Sequence, residues 1–154
     1  METSKKQSRE VCEIELIYRP KVKASERASV TSSEDAYRLF LGSWDENKLE
    51  FVEQFKVMYL NRANKVLGIV TISTGSVTGT IADPKLIMAG ALKANAQGII
   101  LAHNHPSGNL NPSEVDIKIT QKLIKAGEFL EIRVLDHIIV TKEGYYSFAD
   151  EGVL

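Results

Sequence analysis

Residues 99–116 read IILAHNHPSGNLNPSEVD. Ile99 to Ala102 is a short, almost wholly apolar run, the pattern of a central strand covered on both faces. Two of the chain's three histidines follow at once. In an extended backbone, residues two apart project from one side, so His103 and His105 aim their imidazoles at a common point. Pro106 and Gly108 end the strand and turn the chain. Asn111 as cap, Pro112 at the first helical position and Glu114 at the third then announce a helix, with Asp116 in its second turn and its end near Gly127. A helix entering beside the strand's carboxyl end carries the Asp116 carboxylate back towards the imidazoles. Strand, loop and helix predict an α/β fold with a metal clip of two nitrogens and one oxygen.

Upstream, Asp83-Pro84 opens a helix with the apolar stripe Ile87, Met88, Ala91, Leu92 and Ala94, ended by Gly98. Phe55, Val57 and Tyr59, then Val66 to Ile72, read as a hairpin joined near Asn61 to Lys65. Gly75 and Gly79 punctuate a Thr/Ser/Val-rich segment expected to form a third, bent strand. Ser32 or Ser33 caps an earlier helix with Ala36, Leu39, Phe40 and Trp44 at helical spacing and Glu34 and Asp35 at its positive end. Val11 to Tyr18 alternates in the manner of a strand stopped by Pro20, with Cys12 in the core. Downstream, Ile132 to Thr141 predicts a strand, Lys142 to Gly144 a turn and Tyr145 to Phe148 an edge strand. Residues 1–10 are expected to be a flexible leader and residues 11–154 one domain.

A chain of 154 residues, 44% hydrophobic and 25% charged, has the composition of a globular domain. One domain of that size buries about 68–70% of its unfolded surface. The net charge of −1 supplies no global field for nucleic acid. DNA contact would need a local patch such as Arg19, Lys21, Lys23 and Arg27, for which a solvated loop is the plainer reading. A single cysteine excludes an internal disulfide framework and a Cys-rich zinc site. No run reaches the roughly 18 apolar residues of a membrane span, and the N-terminus lacks a signal peptide's apolar stretch. No membrane partner is expected, and the expected compartment is the cytoplasm.

Three protein ligands with a fourth position for water describe a catalytic rather than a structural zinc site, which then needs a base close to the metal. Deaminases require a Pro-Cys-x-x-Cys partner, which one cysteine excludes, and the helical His-Glu-x-x-His of zincins is absent. A two-His-one-carboxylate iron site uses the same ligands and stays open. His137, within LDHIIV, reads first as a satisfied structural histidine with a supporting role to the metal as the alternative. Asn104 should face away from the metal.

His103-Asn104-His105-Pro106 and Ser113-Glu114-Val115-Asp116, with Glu53 far upstream, resemble the JAMM signature of JAB/MPN metallopeptidases. The words LKANAQGIILAHNHPSGNLNPSEVD and RVLDHIIV resemble more narrowly the RadC family, over roughly residues 32–154. The resemblance implies a single three-layer JAB/MPN domain of cytidine-deaminase-like type, a mixed β-sheet flanked by helices. It implies one Zn2+ ion on His103, His105 and Asp116, with Glu53, rather than the nearby Glu50, accepting the proton of the attacking water. Ser113 would donate to the carbonyl oxygen that gains charge, or else serve backbone groups at the helix start. The implied reaction is hydrolysis of an amide or isopeptide bond in a peptide or protein, and the family name carries an association with DNA repair. RadC relatives often have an upstream helix-hairpin-helix-like region that this N-terminus is not expected to accommodate. Pro84-Lys85-Leu86 stands where the family usually has Pro-Arg-Glu. A metal-stabilised DNA- or protein-binding module without catalysis is the second expectation.

Overall fold

The apolar run at Ile99 sits at the centre of a five-stranded sheet, where both of its faces are covered. The computed structural model describes residues 9–75 and 81–154. Strands β1 (Gln54–Leu60) and β2 (Val66–Thr74) form the expected hairpin, and β3 (Gly98–Asn104) lies antiparallel to β1. On its other side β3 runs parallel to β4 (Arg133–Val140), which pairs antiparallel with the short β5 (Tyr145–Ser147). The order β2-β1-β3-β4-β5 makes the sheet mixed. A parallel pair needs a long crossover, and the helix following the histidines supplies it.

Helices α1 (Ser33–Ser43) and α2 (Glu46–Leu49) cover one face, while α3 (Pro84–Lys93) and α4 (Glu114–Leu130) cover the other. Strand alternation divides the core accordingly. Ile100 and Ala102 pack with Ala36 and Phe40, whereas Ile99 and Leu101 pack with Ile87, Ala91 and Leu123. Each fully buried aliphatic side chain of this kind contributes about 1.5–3 kcal/mol. The same alternation puts His103 on the face that carries α4.

Several expectations shift. Val11 to Tyr18 forms no strand: the segment has no sheet partner among the described residues, and Val11, Ile14 and Leu16 are largely exposed, as is Cys12. Helix α3 stops at Lys93 rather than Gly98, because Asn95 takes a left-handed backbone and Gly98 is already the first residue of β3. The cap of α4 is Ser113 rather than Asn111, and the helix runs on to Leu130, past Gly127. The strand expected between Gly75 and Gly79 falls on residues 76–80, outside the described residues, as does the leader over residues 1–8.

Gly127 holds the junction between α4 and the chain entering β4. Its carbonyl accepts from the Ile132 N–H at 2.8 Å, and a Cβ at this position would lie 2.1 Å from the Ile132 carbonyl oxygen. That atom is backbone and cannot swing aside. Gly127→Ala should lower stability by about 1–3 kcal/mol, read as a lower denaturant midpoint at unchanged slope. An unchanged midpoint would mean that the α4–β4 turn relaxes without cost.

Candidate metal centre

His103 is buried near the end of β3, and His105 follows the strand, its N–H donating to the Val140 carbonyl at 3.3 Å. Their Nε2 atoms stand 3.0 Å apart. Asp116 reaches them from the first turn of α4, its Oδ2 lying 3.3 Å from His103 Nε2 and 3.7 Å from His105 Nε2. Glu53 sits immediately before β1, its Oε1 4.0 Å from His103 Nε2. Ligand atoms of Glu53, His103 and His105 all fall within 4.8 Å of one another. Residues from three separated parts of the chain therefore meet at one point, because β1 and β3 are neighbours and α4 covers the face on which His103 lies.

The local structure fixes each side chain. Ser113 Oγ accepts from the Asp116 N–H at 3.1 Å while Asp116 Oδ2 accepts from the Ser113 N–H at 2.8 Å, a reciprocal capping box. The cap thus pins the oxygen that faces the imidazoles. Sequence spacing points to Asn111 with Glu114, and the fold instead uses Ser113 with Asp116. Glu53 is held through its neighbours: Asn104 Oδ1 accepts from the Gln54 N–H at 2.7 Å, and Asn104 Nδ2 donates to the Val52 and Leu49 carbonyls at 2.9 and 2.7 Å. Asn104 faces away from the imidazoles, as strand alternation requires. Glu50 is exposed beside Lys142, 3.9 Å away.

His137 and Thr120 join the cluster, and only the first was singled out from sequence, chiefly as a structural histidine. His137 is fully buried, its Nε2 2.8 Å from His103 Nδ1 and its Nδ1 2.6 Å from Thr120 Oγ1. The ring stacks on Phe148 and meets Phe55 edge-on. Thr120 stands four residues after Asp116, on the same helix face, which is the one signal in the sequence that pointed to it.

Charge is arranged to favour a cation. Burial alone would raise the Asp116 carboxyl, yet the imidazoles of His103 and His105 and the Ser113 N–H hold it well below the usual carboxylate range. Burial pushes the Glu53 carboxyl up, with the two histidines opposing and the Asp116 charge adding to the rise. Burial disfavours the charged form of His105, but Asp116 and the Asn109 carbonyl raise its pKa overall. Burial, reinforced by His103, drives His137 well down.

The donor set fits a divalent metal. His105 Nδ1 donates to the Asn109 carbonyl, so the neutral ring presents Nε2 as a lone pair. That lone pair faces a second imidazole nitrogen and a carboxylate oxygen, a grouping that could hold a cation between its members. Tetrahedral zinc with bonds of about 2.0–2.1 Å separates its ligand atoms by about 3.3–3.4 Å. The three edges of 3.0, 3.3 and 3.7 Å bracket that value.

The chain from residue 30 to residue 153 matches the family model of a RadC-like JAB domain. The chain belongs to that family. This RadC-like domain is 45% identical over 124 residues to the UPF0758 protein of Flavobacterium johnsoniae, covering 80% of this chain and 53% of that protein. It is 42% identical over 139 residues to the UPF0758 protein of Porphyromonas gingivalis, covering 88% and 59% respectively. The UPF0758 protein YfjY of Escherichia coli K12 is 44% identical over 102 residues, 66% of this chain and 64% of YfjY. The RadC-like domain thus spans little more than half the length of the first two relatives. Among the described residues, no helix is long and apolar enough to cross a membrane.

Proposed function

We propose that this RadC-like domain is a zinc-dependent, peptidase-like hydrolase that cleaves an amide or isopeptide bond in a peptide or protein. The observation that carries the proposal is the triangle of His103 Nε2, His105 Nε2 and Asp116 Oδ2, with a half-buried carboxylate, Glu53, standing just outside it at 4.0 Å from His103 Nε2. Zinc, when bound, supplies a Lewis acid that lowers the pKa of water to about 7 and polarises a carbonyl. His103, His105 and Asp116 hold it. Glu53 takes the proton of the attacking water on its carboxylate and returns it to the leaving amine, and its burial raises its proton affinity towards what a base at neutral pH needs. The Ser113 hydroxyl accepts from the helix backbone with a lone pair and keeps its own proton to donate to the carbonyl oxygen that gains charge.

A cleft of ≈ 400 Å³ opens beside His105, lined by Leu49, Pro106, Leu110 and the charged Glu50, Lys142 and Glu143. Mixed apolar and charged walls suit a polypeptide rather than a nucleic-acid backbone, which calls for uniformly basic contacts. Elemental analysis of the purified domain tests the metal assignment: about one zinc per chain is expected in the wild type and little in His103→Ala. Stoichiometric zinc in His103→Ala would remove His103 from the ligand set.

A further inference from the structure

Two side chains, His137 and Thr120, run in line behind His103 to the Asp116 main-chain carbonyl, and the direction of their hydrogen bonds is set from that end. The Asp116 main-chain carbonyl can only accept. Thr120 Oγ1 lies 2.6 Å from it, so the hydroxyl proton is committed there, and towards His137 Nδ1, also at 2.6 Å, Oγ1 can only accept. His137 Nδ1 therefore carries a proton. A neutral imidazole has one N–H, so His137 Nε2 is an acceptor and His103 Nδ1, 2.8 Å away, is the donor. The single N–H of His103 is then spent at Nδ1. Its Nε2 is left as a lone pair, 3.0 Å from His105 Nε2 and 3.3 Å from Asp116 Oδ2.

We infer that Thr120 and His137 are positioning residues that lock His103 in its Nδ1–H tautomer and so present its Nε2 lone pair to the metal. The circuit closes on itself. Asp116 supplies the carbonyl that orients the relay and, through Oδ2, an oxygen at the point where the relay ends. Helix α4 therefore sets both the position of one ligand atom and the tautomer of another. Without the Thr120 hydroxyl, His137 has no acceptor at Nδ1 and is free to carry its proton on Nε2. The bond to His103 then reverses, which moves the His103 proton to Nε2, where it blocks the metal. Partners of this kind behind a ligating histidine change metal affinity by about 10–100-fold.

The inference rests on the zinc reading only for its effect on affinity, and the experiment separates the two. With three histidines in the chain, two-bond 1H–15N correlation spectra of histidine-labelled, metal-free protein read each tautomer directly. His137 is expected as Nδ1–H with an unprotonated Nε2; the reverse pattern would overturn the relay whether or not zinc binds. Zinc competition against a chromophoric chelator gives the second arm. Thr120→Val, which keeps shape and loses the hydroxyl, should bind zinc about 10–100-fold more weakly, while Thr120→Ser should remain close to wild type. Equal affinities for Thr120→Val and wild type would also overturn the inference. A wild type that bound no zinc would sink the metal assignment, and the His137 spectrum would still decide the relay.

Discussion

Glu53→Gln is expected to retain about one zinc per chain and to lose about 10²–10⁴-fold in kcat on any peptide or isopeptide substrate that the zinc-loaded wild type cleaves. The substitution is nearly isosteric and removes only the ability to hold a proton. Two carboxylates approach the histidine pair, and their distances divide the labour. Asp116 Oδ2 lies 3.3 and 3.7 Å from the two Nε2 atoms, close to a tetrahedral edge of about 3.3–3.4 Å, and the capping box fixes its orientation. Glu53 Oε1 is 4.0 Å from His103 Nε2, beyond a tetrahedral edge and within reach of a water between them. Burial raises the Glu53 carboxyl, whereas the His103 and His105 imidazoles and the Ser113 N–H overcome burial and hold Asp116 strongly acidic, which makes it the poorer base of the two. If Glu53 were instead the third ligand, zinc would be lost from Glu53→Gln and kept in Asp116→Asn. Metal content and turnover measured on both variants decide between these assignments.

Much of this site is legible in sequence because its parts are local. His103 and His105 share a side by strand period alone, and Asp116 returns to them because a short loop leaves a helix little choice of direction. The apolar run at Ile99 named its own place in the sheet, and Asp83 with Pro84 named the start of α3. What was not legible depends on partners distant in the chain. Val11 to Tyr18 has the alternation of a strand, but alternation states only that a segment is suited to pairing, and no neighbour among the described residues takes it up. The role of His137 depends on the β3–β4 register, which sets Leu101 opposite His137 and brings the ring behind His103. No local pattern carries a register. The cap of α4 reads as Asn111, whereas the fold places it at Ser113, which agrees with Asp116 Oδ2 facing the imidazoles.

Asn104 shows the same dependence at its strongest, and Asn104→Leu should have the largest effect on stability of any change beside the site. The side chain is fully buried and answers three backbone groups at once: the Gln54 N–H and the Leu49 and Val52 carbonyls. Leucine of similar volume fills the space and satisfies none of them. With about 1–3 kcal/mol for each buried group left unpaired, and partial relief by relaxation, a loss of about 3–5 kcal/mol is expected. It would be measured as a fall in denaturant midpoint. The clamp also brackets Glu53 from both sides, at Val52 and Gln54, while its chain neighbours His103 and His105 keep their backbone pairing with β4 and Asp116 keeps its capping box. Folded Asn104→Leu should therefore keep its zinc and still lose about 10²-fold in kcat, the scale of a catalytic group displaced by about 1 Å. Zinc loss in the folded variant would show that Asn104 supports the metal side of the site, and a wild-type rate would show that Glu53 is positioned without it.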